Sequence, residues 1–227
     1  MDIDHYTLAA LFFLVAVLYS SVGHAGASGY LAAMALLGFA PEQMRPTALA
    51  LNILVGGIGL YRYNKAGLVP WKKVLPFVLA SIPCAYLSAQ WKIPKETYSL
   101  LLAGLLLVAA IGSWRSGSII ERIGESIESK PIPIFTALMI GAAIGCLSGI
   151  TGTGGAIFLT PILLYFSWAH TREASGLSVA FVWINSLAAI LGLMHINLTF
   201  PEALPYWLIA VALGALLGTQ LGIQHWP

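Results

Sequence analysis

Apolar residues occupy this chain in blocks, divided by short polar or glycine-rich interruptions. Nine blocks can be traced: 7–22, 27–39, 47–61, 74–90, 97–114, 132–149, 156–166, 174–194 and 203–222. Segments near the length a helix needs to cross a bilayer, roughly 17–25 residues, recur along the whole chain. The blocks at 27–39 and 156–166 are too short to span alone at a rise of 1.5 Å per residue. Each directly follows a glycine-rich break, "GHAG" from Gly23 and "GTGG" from Gly152. Both are predicted to be half-helices.

The order of blocks repeats. A long block, a break, a short block and two further long blocks occur first from residue 7 and again from residue 132. The two breaks lie 129 positions apart, and "RPTALALNILVGGIG" and "REASGLSVAFVWINSLAAILG" occupy matching places after them. Residues 1–115 therefore read as a first transmembrane repeat, 116–131 as a polar connection, and 132–227 as a second repeat. The connection, "RSGSIIERIGESIESKP", has the character of a short amphipathic surface helix. No block after 222 matches the fifth block of the first half, so the last helix of the second repeat is expected to be absent.

Composition places the chain in the membrane. Hydrophobic residues make up 59% and charged residues 9%, against about 25% charged in soluble domains. The 11 Lys and Arg and 9 Asp and Glu residues lie near the N-terminus or in connections, none inside a long apolar run. This predicts an all-α, multi-pass integral membrane protein. The first block has no basic leader and follows Asp2 and Asp4, so it reads as a retained span and not a cleaved signal. A net charge of +2 offers nothing to nucleic acid. Cys84 and Cys146 sit in apolar runs and are expected to pack. Trp71, Trp91, Trp168 and Trp207 fit an interfacial aromatic belt, and Pro76, Pro83 and Pro161 are expected to kink spans.

Charge also orients the chain. With each short block counted as a crossing, Arg62, Lys65, Lys72, Lys73, Arg115, Arg122, Lys130 and Arg172 share one side; Arg45, Lys92 and Lys95 share the other. Basic residues favour the cytoplasm. The N-terminus is then outside, the Arg115–Lys130 loop cytoplasmic, and the membrane the inner (cytoplasmic) one. Five crossings in the first half make the two repeats inverted relative to each other.

Two glycine breaks in corresponding places point to a transporter's binding site; glycines that merely let helices cross closely are the plainer reading. No full charge is expected at membrane depth. The donors left are main-chain N–H groups at the starts of the two half-helices, where a helix presents unpaired donors and about half a positive charge. Such ends converging would hold one small oxyanion. Gly23, Ala25, Gly26, Gly152, Gly154 and Gly155 form the main-chain part of this candidate site. Ser28, Thr151, Thr153, Asn52 and Asn185 are candidate side-chain donors. The two asparagines are equally readable as helix–helix glue. His24 is a candidate ligand contact, charged or proton-coupled, or else a neutral imidazole bonded to a nearby carbonyl. No catalytic group, metal or cofactor is expected.

"VGHAGASGYLA", the "PTALALNILVGGIG" span and "GITGTGGAIFLTPILL" followed by "ASGLSVAFVWINS" resemble the sulfite exporter TauE/SafE family over nearly the whole chain. The resemblance implies a permease for a small sulfur-containing anion: sulfite, thiosulfate or a small organosulfonate. Ala25 stands where members of that family often carry glycine. A homodimer is a further expectation, as partner to a chain short of one helix. Two other classes compete. A channel for a small neutral solute would share inverted repeats. A rhomboid-like intramembrane protease would use "GASG", with Ser28 as nucleophile and His195 as remote base.

Overall fold

The computed structural model describes residues 5–123, 129–196 and 198–225. Each predicted apolar block forms one α-helix. The helices are α1 (His5–Ser21), α2 (Ala27–Leu36), α3 (Pro41–Lys65), α4 (Trp71–Ala89) and α5 (Lys95–Ile123), then α6 (Ile134–Thr151), α7 (Ala156–Tyr165), α8 (Thr171–Leu193) and α9 (Leu204–His225). No strand occurs among the described residues. The helix α3 begins before its apolar block, because Pro41 is a pre-organised first residue behind an extended Ala40. The helix α5 continues past Arg115 to Ile123, so the polar connection begins as a helical extension. The rest of the predicted surface helix falls partly on 124–128, outside the described residues.

The helices α3 and α8 form the centre. The helix α4 lies against α6 and α8, while α9 lies against α1 and α3. The half-helices α2 and α7 pack on α3 and α8 respectively, and α5 covers α7 from outside. Exposed leucines on the perimeter, such as Leu14 and Leu18 of α1 and Leu100 and Leu107 of α5, match a lipid-facing surface. Four helices, Lys95–Arg115 of α5, α6, α8 and Leu204–Ile223 of α9, are by length and composition long and apolar enough to cross a membrane.

Two of these pairings are zipped by glycine. A β-carbon on Gly141, Gly145 or Gly149 of α6 would collide with the α4 carbonyls of Phe77, Ser81 and Ala85. One on Gly214, Gly218 or Gly222 of α9 would strike the α1 carbonyls of Phe13, Val17 and Ser21. Spacing of four residues keeps each trio on one helix face, and backbones approach without side chains between them.

Polar contacts fix which connections share an end. Lys73 Nζ donates to Glu173 at 2.9 Å, to the Trp168 carbonyl at 3.0 Å and to Ser129 Oγ at 3.2 Å. At the opposite end Arg45 bonds the Trp91 carbonyl at 3.1 Å and Thr199 bonds that of Glu42 at 3.2 Å. Tyr63 Oη donates to the Ser21 carbonyl at 3.2 Å, so α1 finishes where α3 finishes, at the Lys73 end. The helix α6 starts just after Lys130, whose N–H donates to the Ser167 carbonyl at that same end. It finishes beside Arg45. The helices α1 and α6 thus run in opposite senses.

Three expectations need correction. Trp71 and Trp91 are exposed, but Trp168 and Trp207 are core residues. Trp207 meets Phe12 edge-on at 5.2 Å in the seam between α1 and α9, and Trp168 stacks on Phe166 at 4.9 Å. An aromatic near a span end is buried when a neighbouring helix covers that turn. The third is Arg45: assigned from the sequence to a connection, it lies in the first stretch of α3 with only 6% of its surface exposed. Cys84 and Cys146 are free thiols, partly buried in α4 and α6.

Candidate functional site

The chain leaves α1 through Gly23 (φ +78°) and enters α2 through Gly26 (φ +95°). It leaves α6 through Gly152 (φ +81°) and enters α7 through Gly154 (φ +75°) and Gly155 (φ +89°). These left-handed conformations strain any residue with a β-carbon. Gly26 and Gly155 are the N-caps of the half-helices, and neither cap is made by a side chain. The first main-chain donors of α2 and α7 are therefore left to other partners. Expected and observed breaks coincide.

The fold brings the two breaks together through His24. Its Nε2 lies 3.1 Å from Thr160 Oγ1 of α7, which in turn lies 2.6 Å from Ser178 Oγ of α8. The imidazole also bonds main-chain groups of Val22 and Ala156, the latter the first residue of α7. Ala25 is fully buried in the same cluster as Ala156 and Val182. Gly23 presses on the Ser175 backbone at the start of α8. Ser28 turns elsewhere: its hydroxyl donates to Tyr19 Oη at 3.1 Å, on α1.

Around the second break the side chains converge more densely. Thr151 Oγ1 donates to the Leu147 carbonyl at 2.7 Å and lies 3.0 Å from Thr153 Oγ1. Asn52 Nδ2 of α3 donates to the Thr153 carbonyl and to Ser186 Oγ, each at 3.4 Å. A β-carbon on Gly154 would lie 2.6 Å from Asn52 Nδ2, and one on Gly155 would lie 3.6 Å from Asn185 Nδ2. Two amides from the central helices thus face consecutive glycines. Asn52 and Asn185 are both fully buried. Asn52 Oδ1 and both polar atoms of Asn185 find no partner among the described residues. An unpaired buried amide costs about 1–3 kcal/mol, so native structures rarely keep one without a ligand or water to satisfy it.

Sequence reasoning missed Arg45, Tyr98, Thr160, Ser178 and Ser186. Arg45 Nη2 donates to the carbonyls of Ala89 at 2.6 Å and Gly149 at 2.8 Å, tying the ends of α4 and α6 beside Gly152. Tyr98 Oη donates to the Thr151 carbonyl at 2.8 Å. A signal existed for part of this set: Ser178 and Asn185 stand two helical turns apart, on one face of an otherwise apolar helix. The protease pairing is not assembled. Ser28 bonds Tyr19, whereas His195 Nε2 lies 2.6 Å from Tyr86 Oη at the far end of α8. No group of three or more His, Cys, Asp or Glu side chains able to hold a metal occurs among the described residues.

Comparison with known proteins agrees with this architecture. The model of the family described as "Sulfite exporter TauE/SafE" matches residues 8–225. The chain is 40% identical over 225 residues to "Probable membrane transporter protein y4hK" of Sinorhizobium fredii, covering 99% of this chain and 91% of that protein. It is 22% identical to "Probable membrane transporter protein MamO" of Magnetospirillum gryphiswaldense, over 84% of this chain but 36% of that protein. It is 25% identical to "Probable membrane transporter protein MJ0441" of Methanocaldococcus jannaschii, over 66% of this chain and 55% of that protein. No solved structure matches the chain. With glycine breaks before two half-helices and a family match along almost its entire length, this multi-pass membrane protein belongs to the sulfite exporter TauE/SafE family of membrane transporters.

Proposed function

We propose that this protein is a secondary transporter that carries one small sulfur-containing anion (sulfite, thiosulfate or a small organosulfonate) across the inner membrane. The anion binds at the second break, in front of the α7 N-terminus, with Asn52 and Asn185 donating from α3 and α8. The unsatisfied, fully buried amide of Asn185 beside Gly155 carries this reading. Its Nδ2 sits beside Gly155, within reach of an oxyanion that also receives main-chain N–H groups of α7, and its Oδ1 suits a water held with the anion. Amides and a helix end bind an anion by dipoles, which favours release after each crossing.

Residues 1–115 and 132–227 act as inverted repeats that alternate access to this site. Helix pairing supports the relation: exchanging α1 with α6, α2 with α7, α3 with α8 and α4 with α9 turns the α1–α9 contact into α6–α4, and α2–α3 into α7–α8. The basic bias places the N-terminus outside and the 115–130 connection in the cytoplasm.

Asn185→Leu tests the site, since leucine has nearly the same shape and no polar atoms. The ligand-free variant should be at least as stable as wild type in detergent, because an unpaired amide has been removed. Its sulfite affinity should fall about tenfold, roughly 1.4 kcal/mol. Unchanged affinity together with unchanged sulfite flux in proteoliposomes would remove Asn185 from the site.

A further inference from the structure

A cavity of about 260 Å³ opens at the Arg45 end of the bundle, between the first stretch of α3, the α4–α5 connection and the segment after α8. Arg45, Lys92 and Glu42 give it charge, and Ile93, Leu193 and Leu198 form much of its apolar wall. Its volume lies just below the roughly 300–1,000 Å³ of drug-sized pockets, which suits a metabolite larger than a bare oxyanion.

The charges in this cavity are not balanced by the protein. Among the described residues the Arg45 guanidinium bonds three carbonyls, those of Trp91, Ala89 and Gly149, and its Nε–H has no partner. Among the described residues neither Arg45 nor Lys92 has a carboxylate within ion-pair distance; the ion pair found joins Lys73 to Glu173. A buried cation bonded to carbonyls, with the Glu42 carboxylate outside ion-pair distance, is poorly compensated, and a counter-charge brought to it is strongly favoured. Two cations and the Glu42 carboxylate leave one net positive charge, which matches a monoanion better than a dianion. The apolar wall then requires that the anion carry a hydrocarbon body.

Two residues that line the cavity reach the last turn of α6. Arg45 bonds the Gly149 carbonyl and Tyr98 bonds that of Thr151, immediately before Gly152. We propose that this cavity is a vestibular binding site for short-chain organic monoanions, with a sulfonate or carboxylate head at Arg45 and Lys92 and an alkyl body against Ile93, Leu193 and Leu198. The proposal rests on the reading of the second break as the transport site. It adds a separate station, one helix end away, where an organic anion is selected before it reaches that break.

Butane-1-sulfonate, methanesulfonate and inorganic sulfite are the probes, titrated against the full chain in phosphatidylcholine nanodiscs. Wild type should bind butane-1-sulfonate at least fivefold more tightly than methanesulfonate. Lys92→Gln, at an exposed position that leaves the fold intact, should weaken butane-1-sulfonate at least fivefold, and Leu198→Trp should do the same by filling the cavity. Wild-type affinity in both variants, or equal affinity for the two sulfonates, would overturn the proposal. So would loss of the butane-1-sulfonate signal on adding phosphatidylglycerol, which would assign the cavity to a lipid headgroup. Asn185→Leu separates the two sites. If sulfite binding survives Asn185→Leu while Lys92→Gln still weakens butane-1-sulfonate, the break reading fails and the vestibule stands.

Discussion

The two glycine breaks occupy corresponding places in the two halves, yet their surroundings differ. At the first, His24 joins Thr160 and Ser178 and Ser28 bonds Tyr19, while the buried Tyr30 hydroxyl, set against Gly26, has no partner among the described residues. At the second, the amides of Asn52 and Asn185 retain unpaired atoms in a fully buried setting. The first break is bonded across to α7 and α8 through His24; the second leaves two amides from the central helices with open valence. The first break thus joins α1 and α2 to α7 and α8, and in the proposed function the second presents donors to a ligand.

Substitution at the glycines gives the largest separation between the two roles. Gly23→Ala would drive a β-carbon into the Ser175 backbone at positive φ, where no side chain can yield. It should destabilise the protein by more than about 3 kcal/mol, seen as loss of folded material in a thermal melt. Gly38→Ala, with the same φ of +78° but nothing within 4 Å, is the control and should cost only about 1 kcal/mol. A melt in which both variants behave alike would mean that the Ser175 contact does not lock the break.

Gly154→Ala should act differently, because its β-carbon meets the ends of the Val182 and Asn52 side chains, which can move. A stability loss of about 1–2 kcal/mol is expected, with sulfite affinity down roughly tenfold as the Asn52 amide is displaced. Retained affinity in a folded Gly154→Ala protein would contradict the placement of the ligand there.

His24 carries the next effect. His24→Leu leaves Thr160 short of a partner and should cost about 1–2 kcal/mol of stability, most of it restored by His24→Gln. The sulfite affinities of wild type and His24→Gln should run parallel between about pH 5.5 and 8, the range in which an unperturbed imidazole titrates. A profile that flattens in the glutamine variant would make the imidazole a charged ligand and erase the difference between the breaks. The smallest effect belongs to Ser28→Ala, which removes one hydrogen bond to Tyr19, about 0.5–1 kcal/mol, and should leave affinity untouched. A measurable affinity loss would bring the α2 N-terminus to the anion.

The chain's sequence determines the elements of this protein and the location of its breaks. Block length and uninterrupted apolar character specify the nine helices of the described residues, because backbone in lipid must satisfy its hydrogen bonds within the segment. Glycine at Gly23, Gly26, Gly152, Gly154 and Gly155 marks where the chain takes left-handed turns, a constraint local to each residue. What the tertiary structure decided is which polar groups find partners. Asn52 and Asn185 have the same side chain, and both read from the sequence as donors or as glue. Only the placement of α3 and α8 against Gly154 and Gly155 leaves one amide half-bonded and the other free. Arg45 read as a residue of a polar connection, and Trp207 as an interfacial anchor, since linear position near a helix end says nothing of which neighbour covers that end. Burial depends on contacts between residues far apart in the chain, such as Arg45 with Gly149 and Trp207 with Phe12, and those contacts exist only once the helices have packed.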